Sequence, residues 1–273
     1  MKAFSDTPLL NIHLANLTQS DLLAQLTHGV LITPNVDQMV KLQKDRVFYE
    51  IVRKAEWVVC DSKILYLCSK LTKRPLKTYI PGSSFFPAFC EYHRDDEKCK
   101  IFLLGAMDGV ALKAQEHINE RIGRKIIVGA YSPSYGFEKN QDENAQIHQM
   151  INDSGANVVL VGVGCPKQEK WIDAHKAQMP NVNIWMALGA TIDFEAGNVK
   201  RAPKIFQKLA LEWLYRFFQE PKRMFRRYFI DDPVFFWHFM KQLLGLYKNP
   251  FDEPEHDDGQ ADNKQQQPDQ DIN

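Results

Sequence analysis

The sequence predicts an α/β protein, a Rossmann-like doubly wound parallel sheet with a C-terminal helical appendage. Three observations lead there. Short apolar runs with β-branched residues recur six times within the first 199 residues. Segments with helical apolar spacing lie between them, and such alternation implies right-handed crossovers and a parallel sheet. From Lys200 the texture changes: 13 of the chain's 31 aromatic residues fall within 200–248, interleaved with arginines.

The elements follow in chain order. The apolar runs are 30–33, 57–60, 101–104, 126–128, 158–161 and 184–188. They are apolar throughout rather than alternating, as in strands buried on both faces. After the first run, Val36, Met39, Val40, Val47, Ile51 and Val52 keep roughly a 3.6-residue period, so 36–54 reads as helix. The spans 109–122, 143–151 and 167–177 read the same way. Residues 200–248 read as two or three short helices broken at Pro221 and Pro233, because proline fits a first helical turn but not a helix interior. From Asn249 onward almost nothing is apolar, which predicts a disordered acidic tail over 249–273.

The organisation expected is therefore a catalytic-type α/β unit over 1–199, a basic aromatic appendage over 200–248, and the tail. Charge follows the same divisions. The formal net charge is zero over 273 residues, yet 1–199 holds 22 basic and 22 acidic residues, 200–248 holds 11 and 4, and 249–273 holds 1 and 8. The composition, 44% hydrophobic and 25% charged, argues against fibrous and wholly disordered chains. No apolar run approaches the ~18 residues of a spanning helix. The first residues lack the apolar stretch of a secretory signal. Five cysteines without a CxxC pair suggest free thiols in a reducing compartment.

Ligands of open parallel sheets bind beyond the carboxyl ends of the strands. That rule selects Thr33 and Asn35 after the first run, Asp61 and Ser62 after the second, and Gly105 after the third. Tyr135 follows the fourth. Gly162, Gly164, Pro166, Lys167, Gln168 and Glu169 follow the fifth, and Gly189 and Asp193 the sixth. Two readings stay open for several of these. Asn35 and Asp61 precede helical patterns and fit as N-caps, while an aspartate on such a rim also serves as a general base. Gly162-x-Gly164 fits a tight turn or, with Lys167, a phosphate cradle at a helix start. Lys167 replaces the third glycine of a dinucleotide fingerprint, which counts against an NAD enzyme. Scattered histidines and the lack of an Asp-x-Asp after a strand leave no expectation of a metal or another cofactor. No hydrolase elbow or P-loop is present.

In the appendage, Arg223, Arg226 and Arg227 share one helix face by their i, i+3, i+4 spacing, with Arg216 a little upstream. Their forks suit a diphosphate. The aromatic and basic composition equally suits an anionic membrane surface or nucleic-acid bases, and a solvated helical hairpin packed on the main unit is a fourth reading.

Several strings occur together: Gly162-Val163-Gly164-Cys165-Pro166-Lys167-Gln168-Glu169, then Gly189 to Gly197, then Arg201-Ala202-Pro203, and finally Leu211-Glu212-Trp213-Leu214-Tyr215-Arg216 with Glu220-Pro221-x-Arg223. On these the chain resembles the WecG/TagA/CpsF glycosyltransferases (glycosyltransferase family 26), from about Asn11 to Lys248. The resemblance implies an inverting, metal-independent transfer of a sugar of the N-acetylmannosamine, uronic acid or glucose type. The donor would be a UDP-sugar and the acceptor a polyprenyl-diphosphate-linked saccharide of the cell envelope. It implies Asp61 as base, Thr33, Asn35 and Gln168 lining the site, and Arg216, Arg223 and Arg226 closing over the donor diphosphate from a membrane-binding appendage. The enzyme would be cytoplasmic, peripheral on the inner face of the membrane, and would not bind nucleic acid; oligomers are open. The chain departs from the family pattern at Ser62, where glycine is usual, and at Tyr79 and Ser84, where an arginine and an acid are usual. A catalytically silent membrane scaffold and a nucleic-acid-binding module are the rival readings.

Overall fold

The computed structural model describes residues 4–199, 202–203, 206, 212–219 and 221–252. Its strands are β1 (Ser5–Leu9), β2 (Ile12–Asn16), β3 (Gly29–Ile32), β4 (Trp57–Val58), β5 (Ile101–Gly105), β6 (Ile127–Tyr131), β7 (Val158–Gly162) and β8 (Ile184–Ala187). The helices up to the end of the sheet are α1 (Gln19–Gln25), α2 (Val36–Lys41), α3 (Arg46–Lys54), α4 (Lys63–Ser69), α5 (Gly82–Tyr92), α6 (Val110–Ile122), α7 (Gln141–Ser154), α8 (Lys167–His175) and α9 (Thr191–Glu195). Beyond them lie α10 (Glu212–Gln219), α11 (Pro221–Arg226), a π-helical turn (Arg227–Asp231) and α12 (Asp232–Leu243).

Six strands pair in the order β4-β3-β8-β7-β5-β6, every pairing parallel. All six apolar runs are strands of this sheet. β5 and β7 are buried along their whole length, and two hydrophobic clusters lie against the two faces. The doubly wound α/β architecture read from the sequence is the one observed.

Differences from the sequence reading have local causes. The antiparallel hairpin β1–β2 was not expected. Its two-residue turn is Leu10-Asn11, with Leu10 at φ 50°, so it lacks the Asn-Gly or Asp-Gly signature of such turns. The helix expected over 36–54 is two helices. Asp45 ends the first by capping the second, its carboxylate accepting from Phe48 N at 3.0 Å and meeting Lys170 Nζ at 2.6 Å. Helix α5 was also unread, since Pro81-Gly82 reads as a turn and Pro87 lies inside the helix.

Pro221 opens α11 and Pro233 lies in the first turn of α12, as the break positions require. Helix α12 packs on α2 and sends Phe235 and Phe239 into the core, at 0% and 3% exposure. Gln242 ties it to the hairpin turn, its Oε1 accepting from Leu10 N (3.0 Å) and its Nε2 donating to Pro8 O (3.3 Å). The chain stays packed beyond it: Tyr247 donates to Gln43, Asn249 donates to Tyr49, and Phe251 lies against the Tyr49 ring. Residues 253–273, most of the expected tail, lie outside the described residues.

Phe235→Ala should therefore destabilise the protein by about 3–5 kcal/mol. Trp237→Ala, on the exposed side of the same helix, should cost no more than about 0.5 kcal/mol. Urea unfolding of both variants measures the difference.

Candidate active site

The carboxyl ends of the central strands meet where backbone alone fits. A Cβ on Gly105 would come within 2.5 Å of Gly162 O, and one on Gly162 within 2.6 Å of Gly189 O. The next residue, Ala106, is left-handed at φ 60° and donates its amide to Gly162 O (3.1 Å). A non-glycine residue there is uncommon. Gly164 has a different reason: it needs φ 89°, with open space where a side chain would be. Gly162-x-Gly164 thus shapes both the strand end and the entry into α8. The Cys165–Pro166 peptide within that entry is cis.

Asp61 follows β4 on the same rim. Its Oδ1 accepts from Gly82 N (2.9 Å), the first residue of α5, while its own amide donates to Pro34 O (3.1 Å). The N-cap of α4 is Ser62, whose hydroxyl accepts from Ile64 N. The N-cap reading of Asp61 is therefore overturned: its carboxylate points to the start of another helix. Close packing holds that start in place, since a Cβ on Gly82 would lie 3.1 Å from Leu188 and 3.4 Å from Thr33 Oγ1. Thr33 and Asp61 thereby both approach one glycine.

For Asn35 the capping reading holds. It forms a reciprocal capping box with Gln38, Oδ1 accepting from Gln38 N and Gln38 Oε1 accepting from Asn35 N. Gln38 extends this to α8, with Nε2 3.5 Å from Glu169 Oε1. Gln168 donates to the same carboxyl oxygen (2.9 Å) and accepts from Gly189 N (3.2 Å). Both Gln168 and Glu169 are buried, so they act on the crevice by holding Gly189, Gln38 and, through it, the start of α2. Burial pushes the Glu169 carboxyl up to about 7, against the opposing effect of the Gln168 hydrogen bond.

Lys167 and Tyr135 form a separate group. The Lys167 ammonium lies 5.2 Å from the Tyr135 ring centre and 3.3 Å from Glu138. Glu143 fixes that loop by accepting from the Ser134 amide and hydroxyl and from Tyr131. Burial alone would raise the Glu143 pKa, but these bonds outweigh it and lower it. Pro166 precedes Lys167 as the N-cap of α8. Asp193 lies in α9, where its carbonyl accepts from Asn198 and Val199 amides. Arg216 belongs to α10, and Arg223 and Arg226 to α11. The Arg226 side chain is exposed, with Nε 3.8 Å from Asp231.

The rim thus gathers Thr33, Asn35, Asp61, Gly105, Gly162, Gln168 and Glu169 into one connected set. Sequence reasoning missed Gly82 and Gln38. The Asn35-x-x-Gln38 spacing is itself a capping signature and was the available signal for the second. A cavity of about 440 Å³ lies elsewhere, between the hairpin and α3, lined by His13, Tyr49 and Arg53 among others.

The sequence profile of the glycosyl transferase WecG/TagA/CpsF family matches residues 7–249. The chain belongs to this family. As a WecG/TagA/CpsF glycosyltransferase it is similar to N-acetylglucosaminyldiphosphoundecaprenol N-acetyl-beta-D-mannosaminyltransferases of Staphylococcus aureus strains MW2 and NCTC 8325 / PS 47. Each is 29% identical over 218 residues, covering 80% of this chain and 82% of the relative. Among the described residues of this family member, no helix is long and apolar enough to cross a membrane.

Glu169 yields a stability test. Its folded pKa of about 7 lies above the ordinary carboxyl value of 4.5, so the folded state holds the proton more tightly. Stability is greatest below the unfolded pKa and falls as pH rises through the folded one. Glu169→Gln should remove that decline, on the order of 3 kcal/mol between about pH 4.5 and 7. Urea titrations of both proteins across that range measure it.

Proposed function

We propose that this glycosyltransferase moves a sugar, either N-acetylmannosamine, its uronic acid or a sugar of the glucose type, from a UDP-sugar to a polyprenyl-diphosphate-linked saccharide in cell-envelope or exopolysaccharide biosynthesis. The observation that carries this reading is Asp61: a half-buried carboxylate on the sheet rim, oriented by a helix-start amide, in a chain aligned over most of its length with N-acetylmannosaminyltransferases.

In the proposed reaction Asp61 takes the proton from the acceptor hydroxyl as that oxygen attacks C1 of the donor sugar. The C1–oxygen bond to the diphosphate breaks on the opposite face, so the configuration inverts and UDP leaves. Negative charge develops on the leaving diphosphate. Arg216, Arg223 and Arg226 supply the opposing charge, guanidinium forks being suited to phosphate oxygens, and the transfer needs no divalent metal. Thr33 and the Asn35 end of α2 flank the acceptor hydroxyl. Lys167 and Tyr135 lie on the donor side, Gly105, Gly162, Gly164, Pro166 and Asp193 shape the donor pocket, and Gln168 and Glu169 hold its floor.

We further propose that the 200–248 segment closes the site and docks on the inner face of the cell membrane. Support comes from α12, whose Phe235 and Phe239 anchor it while Phe236, Trp237, Met240 and Leu244 stay exposed. With Phe225, Phe229 and Ile230 exposed nearby in sequence, this is more apolar surface than a scatter of single residues.

Asp61→Asn should lower turnover roughly 100-fold or more, as expected for loss of a general base, while UDP still raises the melting temperature. Near-normal turnover would reduce Asp61 to a structural residue. A donor screen with UDP-N-acetylmannosamine, its uronic acid form, UDP-N-acetylglucosamine and UDP-glucose tests the substrate. Activity should persist in excess EDTA; its loss there would remove the metal-independent mechanism.

A further inference from the structure

We propose that α4 and the loop after it form a second membrane-contacting surface, on the α/β unit itself, that takes an anionic lipid bilayer. Between Asp61 and Glu91 the chain carries five basic residues and no acidic one. Lys63, Leu67, Lys70 and Leu71 follow i, i+4, i+7 and i+8 spacing, which places them on one stripe. Leu67 is 49% and Leu71 68% exposed. Lys70 lies along the helix, its ammonium 4.5 Å from the Tyr66 ring centre and donating to Leu76 O at 2.8 Å.

Lys73, Arg74 and Lys77 continue the patch and are exposed. Among the described residues none of these three has a carboxylate at ion-pair distance; Lys77 acts on Asp21 only as a neighbouring charge. Exposed leucines followed in the chain by the exposed cations Lys73, Arg74 and Lys77 match a surface that presents apolar chains beneath anionic headgroups. Nucleic acid fits less well, because leucines do not stack on bases and Tyr66 is already occupied by Lys70 and Tyr79. A protein interface fits less well too, since lysine is depleted in such contacts.

Helix α4 begins two residues after Asp61 and is about 10 Å long at 1.5 Å per residue. The first turn of α4 therefore lies at the rim that carries Asp61. The contact concerns the bilayer alone; only its use, presenting a lipid-linked acceptor to Asp61, rests on the proposed function.

Co-sedimentation of the full-length protein with phosphatidylglycerol/phosphatidylcholine vesicles, and with phosphatidylcholine alone, tests the contact. Two variants are compared with wild type, Leu67→Gln/Leu71→Gln and Lys73→Glu/Arg74→Glu. Each should weaken partitioning onto the anionic vesicles about tenfold, with wild-type binding falling on phosphatidylcholine alone. The charge variant replaces exposed side chains only, so its melting temperature should match wild type, and it decides the matter if the leucine variant unfolds early. Unchanged partitioning of the charge variant would overturn the proposal. So would tighter binding of wild type to a single-stranded oligonucleotide than to the vesicles, lost in the same variant. The assay contains no donor or acceptor, so a failed donor screen leaves its outcome readable.

Discussion

Three strands approach so closely at their carboxyl ends that no side chain fits between them. Gly105, Gly162 and Gly189 touch backbone to backbone, and this contact sets the shape of the rim. A Cβ at either of the first two would force neighbouring backbone apart, which costs about 1–3 kcal/mol in a packed core. Two consequences follow from the narrowness. The Gly189 amide comes within reach of Gln168, and Gln168 in turn fixes Glu169. Through Gln38 the same set reaches the start of α2, so one backbone approach aligns two helices and a loop.

Asp61 depends on a second close approach. Gly82 packs tightly against the Leu188 and Thr33 side chains, and its amide donates to the Asp61 carboxylate. An amide at a helix start is a fixed partial positive charge and needs no reorganisation when a proton moves. The Asp61 carboxylate is thus held on one side by main chain. Tyr79, three residues before Gly82, packs its ring on Tyr66, 5.7 Å between centres.

The sheet was legible because its strands are apolar on both faces, and no other element in a chain of this composition produces six such runs. Rim positions were legible for the same reason, since a strand's end names the residues beyond it. What stayed hidden was long-range. Asp61 stands before a helix in sequence, yet its partner is an amide 21 residues on, across a turn-like Pro81-Gly82 that opens an unread helix. Glu169 looked like a ligand-facing acid, but the fold turns it inward between two glutamines. The hairpin escaped because its turn runs through Leu10 at φ 50°, a conformation that its side chain does not advertise. The charge regimes were plain in the sequence, whereas the split between α12's anchored and exposed faces needed the packing of Phe235 and Phe239.

Gln242 joins the end of α12 to the turn between the first two strands. The stretch from α9 to α12 is consequently fastened to the same body at both ends. A segment tethered at both ends meets the rest of its own chain at an effective concentration of roughly millimolar. Closing a loop of this length costs little more than closing one half as long. Part of the entropy lost in bringing this segment to the crevice is thus lost when the chain folds, before any ligand arrives.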